Sequence, residues 1–233
     1  MNIGVIPARG GSKRIPRKNI KLFHGLPVIA YAIKVAKESG VLDEVFVSTD
    51  DEEIADVAES FGAVIPWIRE KDLSDDNATT LSVMQDAVNK LRFNLNGLEN
   101  ICCIYPATPL LKPSFITQGL QVLEDGDWDY VLSATRAKTP PERFFSLGVT
   151  KRIEMHFPKH EATRTQDFSL SYHDAGQFYW GKRSSWESGV PVFSGNSTII
   201  EIPSALSVDI DTLDDWHQAE RLFELQKDLK IEY

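Results

Sequence analysis

The chain of 233 residues is poor in cysteine, with only Cys102 and Cys103. Two adjacent cysteines cannot form a disulfide framework, so a small disulfide-stapled scaffold is excluded and a reducing, cytoplasmic location is expected. The apolar run around them favours two small core residues. If that run is a strand, their side chains point to opposite faces of a sheet.

Long apolar runs are also missing. None approaches the ~18 residues that a membrane-spanning helix needs, so we expect no membrane partner. At the N-terminus, cations follow the first short apolar run instead of preceding it, which is not the pattern of a signal peptide. A hydrophobic content of 42% is ordinary for a globular protein. The expected organisation is a single domain over residues 1–233.

Acidic residues are absent from the first 37 residues. That segment contains eight lysines and arginines and carries +8, whereas the whole chain carries −9, so residues 38–233 carry −17. A local positive charge on an acidic protein favours a compact polyanion over a long nucleic-acid backbone. We therefore expect a ligand with phosphate groups and no nucleic-acid partner.

Most of these cations lie in one loop, residues 8–19, which follows a short apolar strand. Gly10 and Gly11 can adopt positive φ and let backbone N–H groups approach an anion closely, and Ser12 adds a hydroxyl donor. The loop cations suited to phosphate oxygens are Arg9, Lys13 and Lys18. The spacing differs from that of a P-loop, which disfavours a standard ATPase. The alternative interpretation is a solvated basic turn.

Apolar strands alternate with amphipathic helices through the first 135 residues. The expected strands are 2–7, 44–49, 64–67, 100–105 and 130–134. The expected helices begin at Pro27, after Asp50 or Asp51, near Thr79 and near Pro113. This alternation predicts an α/β, Rossmann-like fold with a doubly wound, mainly parallel sheet. In such a fold, ligands bind at the carboxyl ends of the strands, where the cationic loop would lie.

Residues 136–168 break this pattern. Pro140 and Pro141, scattered aromatic residues and short alternating runs predict a β-hairpin or an extended arm that packs on another subunit. An ordinary surface insertion is the alternative. Further strands are expected at 177–181, 197–202 and 207–210. Thr212 is expected to cap a terminal helix that ends near Leu229.

Two carboxylates lie close together near the C-terminus. If residues 207–210 form a strand, Asp209 and Asp211 point to the same face. Oxygen ligands of this type suit Mg²⁺. A phosphate-binding loop combined with a carboxylate pair is typical of nucleotidyl transfer. The alternative is that Asp211 or Thr212 only caps the last helix and that Asp209 is solvated.

Five motifs, in order along nearly the whole chain, resemble the CMP-sialic acid synthetase family. They are I-P-A-R-G-G-S-K-R-I-P-R-K-N at 6–19, S-T-D at 48–50, L-S-D-D at 73–76, Y-P-A-T-P-L-L at 105–111 and D-I-D-T at 209–212. The segment Y-H-D-A-G-Q-F-Y-W at 172–180 departs from the sialic acid enzymes. It is similar to the branch of pseudaminic acid cytidylyltransferases.

The resemblance implies a fold of the nucleotide-diphospho-sugar transferase type. It also implies that CTP reacts with pseudaminic acid, a nine-carbon 2-keto acid sugar, to give the CMP-sugar and pyrophosphate with Mg²⁺ and no organic cofactor. The alternatives are the same reaction on N-acetylneuraminic or legionaminic acid, and a non-catalytic nucleotide-binding protein of the same fold. A uridylyl- or guanylyltransferase would have a different first loop. The family is typically a homodimer, which implies that residues 136–168 form a dimerisation arm.

Carried over position by position, the resemblance also implies roles for individual residues. CTP would be held by Arg9, Gly10, Gly11, Ser12, Lys13, Lys18, Asn19, Arg69 and Asp76. Mg²⁺ would be bound by Asp209 and Asp211, and the sugar by Tyr105, His173 and Gln177. The catalytic residues would be Lys18, Asp211 and His173. His173 is interpreted either as the general base or as a hydrogen-bond partner of the sugar; a purely structural histidine is the alternative.

Overall fold

A computed structural model describes residues 1–75, 77–92 and 95–229 of the chain. Its strands are β1 (Asn2–Pro7), β2 (Leu22–Phe23), β3 (Leu26–Pro27), β4 (Glu44–Ser48), β5 (Asn100–Ile104), β6 (Tyr130–Arg136), β7 (Phe145–Leu147), β8 (Ile153–Met155), β9 (Tyr172–Lys182) and β10 (Ser197–Glu201). Its α-helices are α1 (Val28–Glu38), α2 (Glu52–Ser60), α3 (Thr80–Leu91), α4 (Pro113–Asp125), α5 (Arg183–Ser188) and α6 (Leu213–Leu229).

A six-stranded sheet in the order β10-β6-β9-β5-β1-β4 forms the centre of the molecule. Strands β4, β1 and β5 are parallel to one another, and β6 is parallel to β10. The predicted α/β fold with a mainly parallel sheet is therefore confirmed.

Strand β9 runs antiparallel between β5 and β6, which was not predicted. Arg136, the last residue of β6, pairs with Tyr172, the first residue of β9. The intervening segment therefore leaves the sheet at the carboxyl end of β6 and re-enters it at that same end. A strand that begins there must run antiparallel to β6.

Helices cover both faces of the sheet. Helices α1, α2 and α4 pack against one face, and α3 and α5 pack against the other. Cys102 belongs to the first layer and Cys103 to the second, so the two side chains point to opposite faces as predicted. Burial raises the pKa of both thiols, which suits unreactive core residues.

Side-chain caps mark the beginnings of two helices. The Asp51 carboxylate accepts a hydrogen bond from the Ile54 N–H at 3.0 Å and caps α2. Thr79 Oγ1 accepts from the Ser82 N–H at 3.1 Å and caps α3. Pro27 was expected to be the first helical residue of α1, but it ends β3 and stands one position before the helix.

Two of the predicted strands are wrong. Residues 64–67 contribute only a single bridge, from Val64 to Phe46. Residues 207–210 have the alternating pattern of a strand but have no strand partners. Side chains bind the backbone at its two ends instead: Gln177 Nε2 donates to the carbonyl of the preceding residue, Leu206, at 2.5 Å, and Lys18 Nζ donates to the Ile210 carbonyl at 2.6 Å.

A third apolar cluster joins the two ends of the chain. Ile15 from the cationic loop packs with Ile210 and with Trp216 of α6. Thr212 and Asp215 cap α6 reciprocally, since the Thr212 N–H donates to the Asp215 carboxylate at 2.7 Å and Thr212 Oγ1 accepts from the Asp215 N–H at 3.3 Å. This packing brings the cationic loop beside the acidic pair.

The segment between β6 and β9 contains the hairpin expected there. Strands β7 and β8 pair antiparallel, with Phe145 opposite Met155. Several of its apolar side chains are exposed: Phe144, Phe145, Leu147, Val149, Ile153 and Phe157. Within the described part of the chain, no helix combines the length and the apolar character required to cross a bilayer.

Candidate active site

A cleft of about 520 Å³ opens at the carboxyl ends of strands β1 and β5. Its walls come from the cationic loop, from residues between α2 and α3, from the turn after β5 and from the segment before α6. The predicted site residues that line it are Arg9, Ser12, Lys13, Lys18, Asn19, Arg69, Tyr105, Asp209 and Asp211. The fold thus gathers most of the proposed site from segments that are far apart in sequence.

Gly10, Gly11, His173 and Gln177 do not line the cleft. Gln177 is only 1% exposed, and its amide supports the segment that leads to Asp209. His173 is exposed on β9, with Nδ1 3.0 Å from the Asp174 carbonyl oxygen. Asp76, the remaining predicted CTP ligand, lies outside the described residues.

The glycine pair does not have the conformation that we expected. Neither Gly10 nor Gly11 has a positive φ. The Gly10 N–H donates to Asp50 Oδ1 at 2.9 Å, so it binds the protein itself. A Cβ atom at Gly10 would lie 2.6 Å from Asp51 Oδ2. Glycine is therefore required at position 10 because the loop packs tightly against Asp51.

Lys18 connects the cationic loop to the acidic segment. Its Nζ donates to the Ile210 carbonyl, 192 residues away in sequence, and lies 3.6 Å from Asp211 Oδ1. Arg14 Nη2 lies 2.8 Å from the same Asp211 oxygen. Two cations of the loop therefore compensate the charge of Asp211.

Asp209 has a different electrostatic environment. Partial desolvation raises the pKa of its carboxyl group, and the negative charge of Asp211 raises it further, while Lys18 acts in the opposite direction. Gly176, with φ of +63°, packs its backbone against this side chain: a Cβ there would lie 3.5 Å from Asp209 Cγ. A cation between the two carboxylates would relieve their repulsion.

The acidic pair fits one mode of Mg²⁺ binding. Mg²⁺ is commonly held by one or two carboxylates together with substrate phosphates and water. Asp209 and Asp211 at an open cleft match that description. In residues 1–75, 77–92 and 95–229, no group of three or more histidine, cysteine, aspartate or glutamate side chains could hold a metal ion. The chain therefore suits a metal shared with a phosphate ligand, not a fully protein-bound ion.

Arg69 is buried beside the cleft, with a side chain that is 3% exposed. Burial lowers the pKa of its guanidinium group, and Asp50, whose Oδ1 lies 3.8 Å from Nη2, opposes that effect. The Arg69 N–H donates to the Thr49 carbonyl at 2.7 Å and Nε donates to Ser74 Oγ at 3.2 Å. A rigidly held guanidinium therefore faces the cleft.

Asn19 orients the loop backbone. Its Nδ2 donates to the Arg9 carbonyl at 2.9 Å, while its buried Oδ1 has no hydrogen-bond partner. A free acceptor cannot bind phosphate oxygens, which are themselves acceptors. The geometry therefore favours a positioning role for Asn19 over direct phosphate binding.

Sequence analysis missed Thr80 and Arg14 as cleft residues. Thr80 Oγ1 lies 2.9 Å from the Tyr105 hydroxyl. Burial raises the pKa of Tyr105 to about 12, so the phenol stays protonated and can donate a hydrogen bond. Tyr105 packs edge-to-face on Tyr179, whose hydroxyl donates to Asp174. Nothing in the sequence distinguishes Thr80 from its neighbour Thr79, whereas Arg14 was visible within the cationic motif.

Comparison with known families agrees with this arrangement. A family model described as Cytidylyltransferase matches residues 3–201. The chain belongs to the cytidylyltransferase family. The predicted class of enzyme, a nucleotidyltransferase, is thereby confirmed, and cytidylyltransferases of this kind generally use a divalent metal ion.

Two curated relatives of this cytidylyltransferase have names that specify a sugar. It is 40% identical over 224 residues to the pseudaminic acid cytidylyltransferase of Campylobacter jejuni subsp. jejuni serotype O:2, covering 96% of this chain and 97% of the relative. It is 35% identical to N-acylneuraminate cytidylyltransferase B of Danio rerio, covering 93% of this chain and 50% of the relative. A solved CMP:2-keto-3-deoxy-manno-octonic acid synthetase complexed with CTP has the same fold, with a TM-score of 0.72 at 17% identity over 97% of this chain and 99% of that chain.

Proposed function

We propose that this cytidylyltransferase joins CTP to pseudaminic acid, giving CMP-pseudaminic acid and pyrophosphate, with Mg²⁺ as its metal. The observation that carries the chemistry is the cleft, where cationic side chains that include Arg9, Lys13 and Lys18 share one cavity with the carboxylates of Asp209 and Asp211. The 40% identity to the Campylobacter jejuni enzyme supports the choice of sugar. A cytoplasmic setting is in keeping with two free, buried cysteines.

The triphosphate of CTP would lie along the cationic loop. Arg9 offers a fork of N–H donors, and Lys13 and Lys18 offer compact charges. Ser12 adds a hydroxyl donor at the same wall of the cleft. Arg69, rigidly held beside Asp50, would lie near the cytidine and its phosphates. These residues bind and orient the nucleotide, which supplies much of the catalysis in phosphoryl transfer.

In the proposed reaction, the anomeric hydroxyl oxygen of the sugar forms a bond to the α-phosphorus of CTP. The bond between that phosphorus and the bridging oxygen breaks, and pyrophosphate leaves with the electron pair. Lys18 would stabilise negative charge on the transferring phosphate. Mg²⁺ bound by Asp209 and Asp211 would supply further positive charge beside the phosphates.

The sugar would lie at the Tyr105 end of the cleft. Tyr105 remains protonated and, with Thr80, presents hydroxyl groups there. Gln177 is buried, so direct contact with the sugar would require a different conformation of its side chain. His173 is exposed but does not line the cleft. The function of His173 as the acceptor of the hydroxyl proton therefore stays a prediction.

An assay of purified protein would test the reaction and its sugar. We expect CMP-sugar and pyrophosphate from CTP and pseudaminic acid in the presence of Mg²⁺. We expect almost none when the metal is chelated, and much less with N-acetylneuraminic or legionaminic acid. If only N-acetylneuraminic acid or only legionaminic acid were turned over, that sugar would be the substrate and the assignment of pseudaminic acid would be wrong. A protein that binds CTP but makes no product with any of the three would indicate the non-catalytic alternative.

We also propose that the enzyme is a homodimer in which residues 136–168 form the contact. The hairpin β7–β8 exposes neighbouring apolar side chains, with Leu147 69% and Ile153 65% exposed and Val149 fully exposed. A contiguous exposed apolar patch of this kind marks an interaction surface. A second copy of the chain would bury it.

Replacing both Leu147 and Ile153 with aspartate is therefore expected to convert a dimer into a monomer in sedimentation velocity experiments. Two buried charges at the contact would weaken association by several kcal/mol or more. The control is Leu22→Asp, which places an aspartate at an exposed leucine on β2 and should leave the dimer intact. A wild-type protein that sediments as a monomer at micromolar concentration would contradict the proposal.

A further inference from the structure

Arg17 belongs to the cationic loop but does not line the cleft. Its backbone has φ of +56°, in the left-handed region that residues with side chains rarely adopt. Such a conformation persists only when the surrounding contacts fix it. The contacts of its side chain therefore need an explanation.

The Arg17 guanidinium binds the first residues of the α2 segment. Both of its terminal nitrogens contact the Asp51 carboxylate, one of them at 3.0 Å from Oδ1, and Nη2 also contacts Glu53. Arg17 lowers the pKa of Asp51, which keeps this carboxylate ionised. Asp51 also caps α2, so its position is set by the helix. A two-pronged pair of this type is specific in geometry as well as charge.

The turn at Arg17 directs the next residue toward the cleft. The Ile20 and Lys21 N–H groups donate to the Arg17 carbonyl at 3.1 and 3.0 Å, closing a short 3₁₀ turn over Lys18–Ile20. Arg17 consequently points to α2, while Lys18 points to Asp211. At the other end of the loop, the Gly10 N–H is bound to Asp50. The loop is thus anchored twice to the residues that begin α2.

We propose that the Arg17–Asp51 pair is a positioning latch that holds the cationic loop in the form that binds CTP. This inference rests on the proposed function of the cleft. Arg17 does not bind phosphate; it acts through Lys18 and the backbone of the loop. Asp51 acts through Arg17. A carboxylate would repel phosphate, so its place beside the phosphate-binding loop is explained by its binding to Arg17.

Calorimetric titration of CTP tests the latch without requiring the sugar. We expect Arg17→Met and Asp51→Asn each to raise the Kd for CTP about tenfold, because small displacements of binding groups have large effects. Asparagine at position 51 keeps an acceptor for the Ile54 N–H, so the cap of α2 is retained. The double variant should bind CTP no more weakly than Arg17→Met alone, because Arg17→Met already removes the Arg17–Asp51 interaction. In turnover assays, the KM for the sugar should stay unchanged.

A matched control removes a similar surface ion pair at the other end of the strands, where β5 begins. Lys182 Nζ lies 2.8 Å from Asp127, and Lys182→Met should leave the Kd for CTP unchanged. Equal CTP affinity of Arg17→Met and wild type would overturn the latch. So would additive effects of the two changes, which would indicate two independent structural losses. A wild-type protein that does not bind CTP would instead refute the proposed function.

Discussion

Replacing Asp211 with asparagine is expected to lower kcat by about 10²–10³-fold, the range found when one group that stabilises transition-state charge is removed. Asparagine keeps the shape of the side chain and removes its charge. Asp211 is the carboxylate that lies within 4 Å of both Arg14 and Lys18, at 2.8 and 3.6 Å respectively. With the neutral side chain, Asp209 alone would bind the metal, so a higher Mg²⁺ concentration should be needed for half-maximal activity. Initial rates across a Mg²⁺ series measure both quantities.

The control for this experiment is Asp214→Asn. Asp214 is exposed in the first turn of α6, three residues from Asp211, and does not line the cleft. The Asp214→Asn substitution makes the same change in net charge as Asp211→Asn and should leave both kcat and the Mg²⁺ requirement as in wild type. Thermal unfolding of both variants should stay close to that of wild type. An Asp211→Asn enzyme with unchanged rate would show that the metal-binding assignment is wrong.

The fold was predictable where local patterns decide it. Asp51 and Thr79 cap helices because their side chains accept hydrogen bonds from the first helical turn, and the expected helix starts, after Asp50 or Asp51 and near Thr79, agree with these caps. The direction of β9 was not, because a fully buried strand has the same apolar pattern whether it runs parallel or antiparallel. Only the path of the connection after β6 decides that direction.

In the site, too, local sequence patterns predicted some features, whereas others depend on tertiary packing. The cations of the loop and the pair Asp209 and Asp211 were recognisable from residue types and spacing. Gln177 was expected at the sugar, yet it is buried and its side-chain amide donates to the Leu206 carbonyl. Likewise, the valine and isoleucine of residues 207–210 alternate as in a strand, but no neighbouring strand pairs with them. Sequence patterns identify which groups are available, and tertiary packing decides which of them face the cleft.

Lys18→Met is expected to lower kcat/KM for CTP by about 100-fold, since it removes a charged donor from a site where charge develops during the reaction. Lys18 contributes in two ways. It is the cation that reaches both the cleft and the Ile210 carbonyl, so it joins the loop to the acidic segment. When CTP binds, the Lys18 ammonium group can replace its 3.6 Å contact with Asp211 by contacts with phosphate oxygens. Asp211 is then available to bind the metal. Loss of that exchange should raise the KM for CTP and lower kcat together.

Lys21→Met separates this effect from a general loss of positive charge. Lys21 lies three residues further along, stacks its ammonium 5.1 Å from the centre of the Trp216 ring and does not line the cleft. Its replacement removes the same charge from the same segment, so kcat/KM for CTP should change less than about threefold, as expected for a screened surface charge. If both variants lost activity equally, long-range attraction of CTP would explain the cationic loop. A loss confined to Lys18→Met would show that contact with the phosphates, rather than net charge, is what this position supplies.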